Sequence, residues 1–164
     1  MEQSNFVLYL ISFSNVILSL PFTFFGLSKY QPNEIKADWQ PPGYVFGIVW
    51  PILYLLFGII NLNVVNNKNM NYVIKEGLIS DAFYESVVQS TWLLVTSNYN
   101  NGRYFIQHLL GLFILAYLVK IAYQYRKPAL AKHDLPSFYL YIPYSLWIVF
   151  AFILNLQIVL KYIF

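Results

Sequence analysis

Residues 44–65 read YVFGIVWPILYLLFGIINLNVV, 22 positions without a charge. Wound as an α-helix at about 1.5 Å per residue, they cover about 33 Å, the thickness of a bilayer's hydrocarbon core. Four more stretches reach spanning length: Phe6–Leu27, Leu78–Ser97, Tyr104–Tyr125 and Phe138–Tyr162. The composition around them agrees. Of 164 residues, 59% are hydrophobic and only 10% are charged, whereas a soluble domain carries about a quarter. The expected fold is an all-α integral membrane protein, a five-transmembrane-helix bundle forming a single multi-pass domain over residues 1–164. A soluble enzyme is excluded. Phe6–Leu27 lacks the basic leader and cleavage site of a signal peptide, so it reads as a retained helix.

The connections are short and polar, apart from the loop from Ser28 to Gly43. That loop holds Trp39, Pro41 and Pro42 and is a candidate lid. Residues 66–77 are Asn-rich, 98–103 form a tight turn, and 126–137 carry Arg126, Lys127 and Lys132. With Lys120 included, the N-terminal side of the bundle holds six Lys and Arg against four on the other, which places the N-terminus in the cytoplasm. Which membrane this is stays open. A net charge of +3 suits a chain flanked by cations in a lipid bilayer and gives no argument for nucleic acid. The absence of cysteine excludes disulfides, thiolate metal sites and Fe–S clusters.

Tryptophan normally collects at the membrane interface. Trp50, Trp92 and Trp147 instead lie seven, fifteen and ten residues into their spans. Phe46, Trp50 and Tyr54 recur at four-residue spacing and share a helix face, and Tyr144, Trp147, Ala151 and Asn155 do the same in the last span. Two readings stand. The rings fill the bundle interior, or they line a cavity for a flat apolar ligand, with a few polar groups to orient it. Asp81, Glu85 and Gln89 supply such groups on one face of the third span. An ionisable residue at that depth is costly and faces the bundle or water. Glu85 either bonds a neighbouring Tyr or touches a ligand.

About 100° around the same helix, Ala82, Ser86 and Ser90 form a small-residue face that allows close helix approach, and it is the expected interface of a homodimer. Gly43 and Gly47 share the spacing, but Gly43 more naturally closes the Pro-Pro turn. Pro21, Pro51 and Pro143 lie within or near apolar spans and can kink them. Leu115, Tyr117 and Lys120 match a loose cholesterol pattern that recurs by chance. His108 and His133 are isolated, and no metal site, phosphate loop or hydrolytic constellation is visible.

Two blocks carry a resemblance. Trp39-Gln40-Pro41-Pro42-Gly43-Tyr44-Val45-Phe46-Gly47, with Trp50 and Tyr54 following, resembles the W-x-P-P-x-W-V-F-G-P-V-W-x-x-L-Y signature of the translocator protein family (TspO, tryptophan-rich sensory protein). Pro143-Tyr144-Ser145-Leu146-Trp147, then Phe150-Ala151 and Leu154-Asn155, resembles the family's P-Y-L-x-W-x-x-F-A-x-x-L-N block. The chain departs in three places. Tyr44 stands where the family often has a second Trp, Gln89 and Trp92-Leu93-Leu94 replace an Asn followed by a proline-containing block, and the first loop lacks a Trp-Tyr pair. These departures bear on ligand specificity rather than on fold.

The resemblance implies a dimeric five-helix bundle with a pocket under the first loop. It also implies a membrane protein that binds porphyrin or haem as ligand and requires no cofactor. Sterols and isoquinoline or benzodiazepine drugs are further ligands of the family, and transport and stress-linked handling are roles proposed for it. The expected ligand-binding residues are Trp39, Phe46, Trp50, Tyr54, Gln89, Trp92, Tyr144, Trp147, Ala151 and Asn155. A binding protein is the first reading. The enzymatic alternative is light-dependent porphyrin degradation through Trp50 and Trp147, and the third is a scaffold or sterol-handling protein.

Overall fold

The computed structural model describes residues 2–27, 35–97 and 104–164, and every regular element among them is helical. The lid residues 28–34 and the turn at 98–103 lie outside the described residues.

The first apolar stretch is divided into α1 (Glu2–Ser12) and α2 (Ser14–Leu27). The reason lies on the next helix, α3 (Gly43–Asn66). The side-chain amide of Asn61 donates to the Ser12 carbonyl at 2.8 Å, and a polar group inserted into a helical ladder is a recognised cause of a break. Gly58 completes the joint. A Cβ there would stand 2.7 Å from the Phe13 ring, so only glycine lets Phe13 seat against α3. α3 itself begins one residue before the expected Tyr44, directly after Pro41 and Pro42, and runs through Pro51.

α4 (Tyr72–Ser97) starts six residues earlier than its apolar run, because the Asn71 side chain accepts from the Ile74 amide at 2.9 Å and caps the first turn. The segment expected as a loop from Arg126 to Ser137 is instead mostly helical. α5 (Tyr104–Ile121) passes through a π-helical turn at Ala122–Arg126 into α6 (Lys127–His133). Asp134 then ends α6 and caps α7 (Leu135–Ile163), accepting from the Ser137 amide at 3.3 Å. The wider π turn matters because it swings Arg126 inward. That residue is 1% exposed, so it does not act as the flanking cation counted in the orientation argument.

Among the described residues, three stretches, Gly43–Asn66, Tyr104–His133 and Leu135–Ile163, are long and apolar enough to cross a membrane. Their outer faces are apolar. Ile48, Ile52, Leu55 and Ile59 run down the exposed side of α3, Leu110, Phe113 and Tyr117 down α5, and Leu146, Ile153 and Leu160 down α7. Stripes of this extent are unfavourable in water and favourable in lipid.

One expectation is overturned. Ala82, Ser86 and Ser90 do form a close-approach face, but α2 of the same chain occupies it. Ser14 donates to Ser86 at 2.9 Å, and the hydroxyls of Ser19 and Ser90 meet at 3.1 Å. All three residues are buried within one subunit, so they are not available to a second copy. Small side chains favour any close helix neighbour, and α2 of the same chain has taken the place.

Candidate aromatic site

The sequence-selected rings converge from four parts of the chain. Trp50 on α3 stacks on Tyr54 at 5.5 Å, meets Trp92 of α4 at 5.6 Å and presents its edge to Trp147 of α7 at 6.1 Å. Trp147 also contacts Phe46 at 5.8 Å and stacks on Phe150 at 4.8 Å. Trp39, at the described end of the lid segment, closes the series edge-on to Phe150 at 5.5 Å. Burial is graded along this series. Trp50 is 2% exposed while Trp39 is 45% exposed, so the cluster opens at the Trp39 end. Ala151 is buried one turn beyond Trp147.

The polar groups fall into two sets. Gln89 is fully buried and reaches the Tyr54 hydroxyl only at 3.5 Å, and its Oε1 has no hydrogen-bond partner among the described residues. The same holds for Trp92 Nε1 and Trp147 Nε1, whereas Tyr144, also expected at the site, packs its ring on Phe57 and Tyr141 at 5.1 and 5.4 Å. Buried polar atoms are nearly always paired, and an unpaired one costs about 1–3 kcal/mol. Three such atoms, on Gln89, Trp92 and Trp147, lie beside one ring cluster, where a ligand would supply partners.

Asn155, the other expected polar contact, belongs to the second set. Its Oδ1 lies 2.7 Å from His108 Nδ1, and its amide donates to the His108 carbonyl at 2.8 Å. Both ends are committed to α5. His108 looked isolated in the sequence because its partner lies 47 residues away.

Below the rings lies a second buried polar group. Tyr141 donates to Glu85, Arg126 Nη1 stands 3.4 Å from Glu85 Oε2, and Arg126 also donates to Asn61. The guanidinium sits over the Phe57 ring at 4.1 Å, a cation–π contact. Of the two readings for Glu85, the structure gives the bond to a tyrosine and adds an arginine. Sequence reasoning missed Arg126, Asn61 and Tyr141. Asn61, a lone amide inside an apolar span, was the available signal.

The lid segment is held at its far end. Asp38 pairs with Lys161, whose ammonium also donates to the Lys36 carbonyl at 3.1 Å, and Gln157 donates to Asp38 at 3.1 Å. Ala37 packs beside Leu154 and Ile158.

The profile of the TspO/MBR family matches residues 11–160. A tryptophan-rich protein TspO from Chlorobaculum tepidum is 25% identical over 131 residues, covering 80% of this chain and 78% of the relative. No solved structure matches.

Proposed function

The chain belongs to the TspO/MBR family, and from that premise we propose that it is a membrane-embedded binding protein for flat tetrapyrroles of the porphyrin type. The observation that carries this reading is the pairing of stacked rings with unpartnered polar atoms. Trp50, Trp92 and Trp147 offer broad faces to a macrocycle, and Gln89 and two indole N–H groups offer hydrogen bonds to its periphery. A ligand pocket needs this mixture of apolar area and a few orienting groups. The rings touch one another, so a macrocycle inserts by parting them from the exposed Trp39 end.

We extend the same reading to topology. All five apolar stretches cross the bilayer, α1 and α2 together as one pass. α4 spans despite its carboxylates because Glu85 is enclosed by Tyr141 and Arg126 instead of facing lipid. If the protein pairs with a second copy, the interface uses a face other than Ala82, Ser86 and Ser90.

A titration of the purified protein with protoporphyrin, followed by tryptophan quenching, tests the reading. Saturable quenching that is lost in Trp50→Ala and Trp147→Ala supports it. Unchanged affinity in both folded variants moves the site elsewhere. The contact between Trp50 and Trp147 favours a second reading, light-driven oxidative porphyrin breakdown in which dioxygen takes up the electrons lost by the macrocycle and these indoles pass electrons to the photoexcited ring. A discrete tetrapyrrole product that forms only under illumination, and only with both indoles present, would distinguish turnover from binding.

A further inference from the structure

One face of α7 runs from the buried rings to the end of the helix. Trp147, Phe150, Leu154, Gln157 and Lys161 follow at spacings of three and four residues and so share that face. Trp147 packs among the rings and stacks on Phe150, and Phe150 meets Trp39 at the mouth. Lys161 lies eleven residues beyond Phe150, about 16 Å along the helix axis. The lid segment follows the same face. Gln157 donates to Asp38 at 3.1 Å and Lys161 pairs with it, while the next residue, Trp39, stands edge-on to Phe150. Consecutive Cα atoms are about 3.8 Å apart, so the Lys161 ammonium is held one residue from the ring at the mouth.

Charge is distributed unevenly along this path. The unpartnered polar atoms beside the buried rings, on Gln89, Trp92 and Trp147, are all neutral. The buried Arg126 is committed to Glu85, Asn61 and the Phe57 ring, and His108 to Asn155. A ligand with ionised carboxyls that turned them inward would bury unpaired charge, at high cost. Its carboxylates therefore stay at the mouth. Among the described residues, the ammonium groups at that end belong to Lys36 and Lys161. Lys36 enters the latch through its carbonyl, which accepts from Lys161 at 3.1 Å. Lys161 is 34% exposed and Asp38 is 71% exposed, and an ion pair this open is weak. A ligand carboxylate offers the ammonium the same chemistry as Asp38, and the flexible lysine stem can follow either partner.

We propose that Lys161 is the specificity-determining cation of the aromatic site: an ionised carboxylate of the bound tetrapyrrole takes the place of Asp38 on it and so releases the lid. The inference rests on the tetrapyrrole reading, and two probes separate them. Protoporphyrin and its dimethyl ester share one macrocycle and differ in their ionised carboxyls. Quenching titrations of the purified full chain in nonionic detergent measure both. The ratio of acid to ester affinity should be about fivefold higher in the wild type than in Lys161→Met, the upper end for an open ion pair. Comparing ratios cancels the unequal partition of the two probes into micelles. Asp38→Asn removes the competitor, so affinity for the acid should rise by about twofold, while the ester, with nothing to exchange, should bind as before. Lys36→Met should keep the wild-type ratio. The latch faces solvent, so all three variants should melt near the wild type, which checks their folding. Equal ratios in the wild type and Lys161→Met overturn the proposal and leave the tetrapyrrole site standing, whereas no saturable binding of either probe removes both. An acid affinity that does not rise in Asp38→Asn, or an equal gain for the ester, overturns the exchange. A ratio lost in Lys36→Met would assign the carboxylate to the other lysine, with the same consequence.

Discussion

The two buried polar regions of this bundle are built from the same helices and differ in how far their groups pair with one another. Near the lid, α3, α4 and α7 contribute Trp50, Trp92, Trp147 and Gln89, and several of their polar atoms have no partner among the described residues. Deeper along the same three helices, together with the π turn, Asn61, Glu85, Arg126 and Tyr141 bond to one another. Groups that bond to each other serve architecture, even though Glu85 Oε2 and Arg126 Nη1 meet only as an ion pair and Arg126 Nε has no hydrogen-bond partner among the described residues. Polar atoms left open store capacity for something outside the chain. Composition does not separate the two cases, because glutamine and glutamate one helical turn apart fall on different sides of the divide.

The strongest way to break this contrast is to disturb the closed region. Arg126→Met leaves the Glu85 carboxyl without its cation and should cost about 3–5 kcal/mol, the usual penalty for breaking a buried pair. Adding Glu85→Leu should recover much of the loss, since replacing both charges with apolar groups is often neutral. Denaturant unfolding in detergent micelles measures both. A single variant as stable as the wild type would show that the pair does not hold the bundle.

The next effect concerns the face that α2 covers. Ser86→Leu should overpack the α2–α4 contact and cost about 1–3 kcal/mol, while sedimentation of the detergent complex stays unchanged. A change in oligomeric state without loss of stability would return that face to a subunit interface.

A smaller effect sharpens the contrast from the open side. Trp92→Phe and Trp147→Phe keep a ring but remove an indole N–H that is unpartnered in the free protein. Stability should hold or rise slightly, whereas porphyrin affinity should fall by about 1 kcal/mol, the typical worth of one hydrogen bond. Quenching titrations and thermal melts of the same preparations decide it. Equal losses in stability and affinity would place these indoles with the closed region.

The smallest effect belongs to the lid latch. Asp38 and Lys161 are solvent-facing, and such pairs contribute at most about 1 kcal/mol. Asp38→Asn should therefore leave melting almost unchanged. It should increase hydrogen exchange at residues 35–42 in the free protein more than in the porphyrin complex. Equal protection in both states would reject a ligand-ordered lid.

Much of this was legible in the sequence, for a reason that holds in any apolar solvent. A charge-free run of 22 residues has no alternative to a helix in lipid, because its backbone must bond to itself. The long apolar helices and the spacing of Phe46, Trp50 and Tyr54 therefore follow from local pattern alone, and so does the family resemblance in the two Trp-containing blocks. What the pattern did not determine was pairing. The division of the first span at Phe13 depends on Asn61 and Gly58 of another helix. The inward turn of Arg126 depends on a π-helical step, and the commitment of Asn155 depends on His108. The small face of Ala82, Ser86 and Ser90 asked for a close neighbour without saying which. Helical periodicity specifies which residues share a face, but only the packing of several helices decides what each face meets, and the partners of a buried polar group lie tens of residues away.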